Sequence, residues 1–159
     1  MEQYTLTIPV TVKQDDELSE QERQLVEAAK AATYRSYAPY SRFCVGAAAL
    51  LADGTVVTGS NQENAASPSG ICAERTTIFH ANSEHPDLAV TALAIAARDT
   101  SGQFTKRPIS PCGACRQVLV ETESRYRQPI AILLYGTDGT HIIPSSKDLL
   151  PVSFDASYL

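Results

Sequence analysis

Apolar positions along the chain recur at two spacings, and their order lays out an alternation of helices and strands. Residues 19–34 place Leu25, Val26, Ala29, Ala32 and Thr33 on one side at helical spacing, and Ser19 with Glu22 three residues later forms a capping box at the start. After the Tyr37-Ala38-Pro39-Tyr40-Ser41 turn, Phe43 to Leu51 reads as a strand. Asp53-Gly54 is a tight turn, and Thr55 to Gly59 is the returning strand. Cys72 to about Asn82 is helix-compatible. In Val90 to Arg98, Leu93 and Ile95 are interleaved with alanines, the near-continuous apolarity of a central strand covered on both faces. Ser110-Pro111 leads into a helix running to about Tyr126, with Pro tolerated in a first turn. Ile130 to Tyr135 is the next strand, Asp138-Gly139 turns the chain toward Ile142 and Ile143, and a short helix spans Ser146 to Leu150. This order predicts an α/β fold, a three-layer α/β/α sandwich around a mixed sheet of about five strands.

With 159 residues and no repeat or Pro/Gly/Ser-rich linker, the chain is expected to form a single domain over 1–159, with residues 1–16 as an N-terminal lead segment. The formal net charge of -5 argues against a strongly basic face that would grip nucleic acid. Glu2 stands where a signal peptide would be basic, and no stretch approaches the roughly 18 apolar residues of a spanning helix. A cytoplasmic protein without a membrane partner is expected, one whose thiols stay reduced and free to bind metal.

Four cysteines are too few for a disulfide scaffold, so their spacing carries the chemistry. Cys112-Gly113-Ala114-Cys115 is a C-x2-C pair at a helix start, and alone it leaves zinc and a redox dithiol both open. Cys72, followed two residues on by Glu74, shifts the balance toward metal. A C-x-E with a downstream P-C-x-x-C matches the established signature of zinc deaminases in its three-cysteine form. Three thiolates around Zn2+ carry a net negative charge, which a buried site must offset. Two helix N-termini and the adjacent Arg75 and Arg116 would supply positive character. Three protein ligands leave one position for water, and Glu74 beside it could shuttle protons. Cys44 offers a rival, a closed all-cysteine structural site; alternation sets it opposite Phe43 across the sheet, as a small core residue. His80 and His85, five residues apart, do not share a helix face as a metal pair would, and they and His141 read as surface or packing residues.

Five ordered blocks extend the match from Tyr37 to Phe154: Tyr40-Ser41-x-Phe43-x-Val45-Gly46-Ala47-Ala48, Asn61-x-Glu63-Asn64-Ala65, Cys72-Ala73-Glu74-Arg75-Thr76, Pro111-Cys112-Gly113-Ala114-Cys115-Arg116-Gln117 and Leu149-Leu150-Pro151-x-Ser153-Phe154. In these the chain resembles the small, homotetrameric class of cytidine deaminases. The resemblance implies one Zn2+ per chain on Cys72, Cys112 and Cys115, with Glu74 as proton shuttle. Phe43 would pack against the pyrimidine, Asn61 and Glu63 would bind the ribose 3′-hydroxyl, and Ala73 would offer backbone N–H to the base carbonyl. Ala65 would belong to the substrate site, and Arg75, Arg116 and Gln117 would surround the ligands. Phe154 would reach into a neighbouring subunit's site. At Ser67 the chain departs from the family, which usually carries Tyr or Phe there.

The implied reaction is hydrolytic deamination of cytidine and 2′-deoxycytidine to uridine and 2′-deoxyuridine with release of ammonia, in pyrimidine salvage. Related alternatives keep the zinc and change the base, to guanine or an aminopyrimidine antibiotic. An RNA- or DNA-editing deaminase fits poorly with the negative charge. A non-catalytic zinc-stabilised module would have no need of Glu74.

Overall fold

The computed structural model describes residues 1–159. Six strands make one sheet in the order β1-β6-β5-β4-β2-β3. They are β1 (Thr11–Lys13), β2 (Phe43–Leu51), β3 (Val56–Ser60), β4 (Val90–Asp99), β5 (Ala131–Leu134) and β6 (Thr140–Ile143), with helices α1 (Glu20–Ala32), α2 (Ala73–Glu84) and α3 (Gly113–Tyr126). The expected count of about five is therefore corrected to six. The additional strand lies in the lead segment, where Thr11–Lys13 pairs antiparallel with Thr140–Ile142 at the sheet edge. The final short helix is a 3-10 turn, Ser146–Leu149.

Alternation along the strands sorts the core into two layers. Val45, Ala47, Ala49 and Leu51 of β2 join Leu93, Ile95, Ile132 and Leu134 beneath α2 and α3, with Ile78 and Leu119 from those helices. Their neighbours Ala48, Leu50, Ala94, Ala96 and Leu133 face the other way, onto Leu25, Val26 and Ala29 of α1. Cys44 is buried outside the thiol cluster, as its even position predicts. The Ser19 capping box is formed, with Glu22 N–H donating to Ser19 Oγ at 3.2 Å and Ser19 N–H to Glu22 Oε2 at 2.8 Å. At the far end of α1, Arg98 donates from Nε to Thr33 Oγ1 and from Nη2 to the Thr33 carbonyl. A cation thus sits where the helix dipole is negative.

β4 and β5 run parallel, so α3 between them is a crossover helix, whereas β2 runs antiparallel to both of its neighbours. Close approach of α2 to the sheet depends on Gly59. A Cβ there would lie 2.6 Å from Thr77 Oγ1 and 2.8 Å from Thr77 N. α2 and α3 start on the same side of the molecule, and that juxtaposition builds the site.

Candidate metal centre and catalytic cleft

Cys72 is the N-cap of α2 and Cys112 the N-cap of α3, while Cys115 lies in the first turn of α3. As N-caps of two neighbouring helices, Cys72 and Cys112 bring their sulfurs face to face. Cys72 Sγ and Cys112 Sγ are 3.8 Å apart, Cys112 Sγ and Cys115 Sγ 3.4 Å, and all three lie within 4.8 Å of each other. A tetrahedron with Zn–S bonds of about 2.3 Å has edges of about 3.8 Å, so the three thiols fit zinc with little movement. Positive ends of two helix dipoles converge on them.

Electrostatics at the cluster favour a cation. Burial pushes the Cys115 thiol far up, reinforced by the Glu74 charge, and burial likewise raises Cys72 against the opposing Arg75. Burial would raise Cys112 too, but the N–H groups of Cys115 and Ala114 and the neighbouring thiols outweigh it and lower its pKa. Three thiols this close cannot all ionise alone; a dication removes the penalty. Arg75 directs Nη2 to Cys72 Sγ at 3.8 Å, and its Nε is buried without a partner, a donor suited to thiolate.

Glu74 is only 5% exposed, and burial raises its pKa against the pull of its own backbone N–H, Cys115 and Arg75. It forms part of the wall of an open cleft of about 300 Å³ together with Cys72, Ala73 and Cys112. Phe43, 37% exposed at the start of β2, lines the same cleft, as do Asn61 and Glu63. Ser41, Val45, Ile109 and Ser110 complete it. Ile109 sits in a long connection with no periodicity, so nothing in the sequence pointed to it. A second hollow of about 480 Å³ shares Asn61, Glu63 and Cys72 and is lined by Ala65, Ser67 and Arg75. Ala65 therefore belongs to this outer hollow, not to the cleft that holds Glu74.

Several expected site residues make different contacts. Arg116 does not reach a sulfur: it donates from Nε to the Pro111 carbonyl at 2.8 Å and from Nη1 to the Leu149 carbonyl at 2.7 Å. Gln117 Nε2 donates to the Phe154 carbonyl at 2.9 Å. Both residues clasp the C-terminal segment to α3, because the orphan carbonyls of that segment lie within reach of the helix's first two turns. Asn61 Oδ1 accepts from Val45 N–H and Ser36 Oγ, and Nδ2 donates to the Phe43 carbonyl, so the amide ties the cleft wall together. Glu63 accepts from the N–H groups of Tyr40 at 2.8 Å and Ser41 at 3.3 Å, and the Ser41 hydroxyl first, then these N–H groups, hold its pKa low. Phe154 is 59% exposed and stacks on Tyr158, lining neither hollow.

An α/β/α sandwich that presents three thiols and a buried carboxylate at paired helix N-termini defines a zinc-dependent hydrolase of the deaminase class. Residues 19–128 match the family model described as the cytidine and deoxycytidylate deaminase zinc-binding region. The chain belongs to that family. It is 48% identical over 99 residues to a cytidine deaminase of Halalkalibacterium halodurans, covering 62% of this chain and 70% of the relative. A cytidine deaminase of Sporosarcina psychrophila is 48% identical over 98 residues, 62% of this chain and 67% of the other. The crystal structure of cytidine deaminase from Burkholderia pseudomallei superposes with a TM-score of 0.71 at 39% identity, covering 86% of this chain and all of that one. That of Mycobacterium tuberculosis gives 0.63 at 35% identity, covering 83% and 95%. No helix is long and apolar enough to cross a membrane.

Proposed function

We propose that the protein deaminates cytidine and 2′-deoxycytidine hydrolytically, and that the buried Glu74 carboxylate beside the three thiols carries this reading. Cys72, Cys112 and Cys115 would hold one zinc per chain, which when bound acidifies the attacking water. Glu74 takes a proton from that water and delivers it to the ring nitrogen next to the reacting carbon. The C–O bond forms as the adjacent C=N opens. The same carboxylate then takes the remaining proton from the added hydroxyl and passes it to the amine, and the C–N bond breaks to release ammonia and leave the uridine carbonyl. The elevated pKa of Glu74 suits a group that must both accept and return a proton.

Phe43 would cover the ring, an aromatic contact that selects a flat base. Ala73 begins α2, so its N–H is one of the unpaired donors of that terminus and would meet the base carbonyl. Asn61 and Glu63 would receive the sugar hydroxyl: Glu63 Oε1 has a further lone pair and Asn61 Nδ2 a second hydrogen. Ala65 would border the sugar end, and Arg75 would neutralise the thiolates. Arg116 and Gln117 would act on the site through the tail they hold. We further propose one domain over 1–159, assembled as a cytoplasmic homotetramer in pyrimidine salvage. The outward stacking of Phe154 supports a role in a neighbouring cleft.

Glu74→Gln tests the reading. Zinc content should stay near one per chain while loss of the cytidine absorbance band slows by about 10³-fold, within the range of general acid–base catalysis. Turnover at the native rate in a variant of native zinc content would remove Glu74 from the mechanism.

A further inference from the structure

Ahead of α1 lies a segment that the proposed reaction leaves without a role. Tyr4, Leu6, Ile8, Val10 and Val12 alternate with Thr5, Thr7, Pro9 and Thr11, an amphipathic strand pattern nine residues long. Only Thr11–Lys13 is paired, against β6. The five apolar residues are 45–75% exposed, so the apolar side of the pattern is not buried within the chain. The segment also lies outside residues 19–128, the family-matched region.

Unpaired strands of this kind are normally protected by charge. No charged residue occurs from Tyr4 to Val12, so nothing repels a second strand. Leu6 and Ile8 border a groove of about 220 Å³ with Leu150, Pro151 and Val152, and Lys147 and Asp148 form its charged side. The pattern is self-complementary: an antiparallel copy centred on Ile8 sets Leu6 opposite Val10 and Tyr4 opposite Val12, all on one face. In that register Pro9 and Thr7 are opposed, and the missing N–H of Pro9 can face away from the ladder.

We propose that residues Tyr4–Val12 pair with the same segment of a second copy of this chain, as a two-fold antiparallel ribbon about Ile8. Contact of this type is isologous, the commonest form of self-association. Nine residues are fewer than the roughly 20–30 that one side of a standard interface holds, so the ribbon strengthens an assembly anchored elsewhere.

Cysteine cross-linking in the zinc-loaded full chain tests the register. Opposed residues of an antiparallel pair lie about 4.5–5.5 Å apart at Cα, within disulfide range. Ile8→Cys should form a covalent dimer, and Val10→Cys alone should not. A mixture of Leu6→Cys and Val10→Cys chains should form the mixed dimer. Sedimentation of Leu6→Lys/Val10→Lys should show dissociation at a protein concentration at least tenfold higher than native, with zinc content and cytidine turnover per chain at high concentration retained. Equal cross-linking at Ile8 and Val10, no cross-link at Ile8, or a double variant that dissociates as the native chain does would each overturn the proposal.

Discussion

Gly59→Ala should disturb the site from the far side of α2. Gly59 sits in β3 opposite Ala47, on the face that carries α2, and its backbone is ordinary, so a methyl group adds no conformational strain of its own. The added Cβ would lie 2.6 Å from Thr77 Oγ1, 2.8 Å from Thr77 N and 3.1 Å from Thr76 Cγ2. Ordinary contact begins near 3.4 Å, so the helix backbone must retreat by about 0.6–0.8 Å. Thr77 cannot rotate away at no loss, because its hydroxyl donates to the Ala73 carbonyl at 2.8 Å. Overpacking of this kind costs about 1–3 kcal/mol. For a chain of this size that lowers Tm by roughly 3–10 °C. The retreat shifts Cys72, Ala73 and Glu74 relative to Cys112 and Cys115, and a misplacement near 1 Å can cost about 10²-fold in rate. Thermal unfolding, zinc per chain and cytidine turnover should therefore all fall together. Gly113→Ala is the control: its Cβ meets nothing within 4 Å, so Tm should hold or rise slightly. A Gly59→Ala protein with native Tm and native turnover would refute the claim that this contact seats α2.

Two further predictions concern the cleft wall and the C-terminal connection. Phe43→Ala should raise KM for cytidine roughly tenfold, about 1.4 kcal/mol of aromatic contact, with zinc content unchanged; loss of zinc would place Phe43 in the structural support instead. The buried Glu123 carboxylate accepts from Ile130 N–H, Ser146 N–H, Ser146 Oγ and Ser145 Oγ at 2.7–3.0 Å. Burial alone would raise its pKa, but these donors outweigh it and hold the group low. Its stabilising contribution is then complete above the unfolded value near 4.3 and is lost as pH falls through the lower folded value. Glu123→Ala strands two backbone donors and should cost about 4 kcal/mol, on the order of 10 °C in Tm. Glu123→Gln should cost less and flatten the acid limb, and an unchanged acid limb in urea titrations would remove Glu123 as its source.

Local signals proved sufficient wherever neighbouring residues decide the outcome. The Phe43–Leu51 strand ends where Asp53-Gly54 turns it, and the Ser19 box starts α1 one residue later. Cys44 fell on the opposite face from Phe43 because alternation leaves no other choice. Three features depended on distant partners. β1 is three residues long and is defined by β6, far along the chain. Asn61 also ties together Ser36, Phe43 and Val45, residues distant from it in the chain, so its scaffold duty has no local trace. Arg116 looked like a cation for sulfur because Cys115 adjoins it, yet it turns to Leu149, whose carbonyl comes near only once the chain has returned past α3.

α3 has two attachments near its first turn: Cys112 and Cys115 on one side, and Arg116 and Gln117 gripping the Leu149 and Phe154 carbonyls on the other. A single rigid lever thus joins the metal to the tail. Thermodynamic linkage makes such coupling reciprocal: if zinc firms the first turn of α3, it also firms the tail, and whatever seats the tail tightens zinc by the same factor. Metal loading and the ordering of residues 149–154 would then be two readings of one equilibrium.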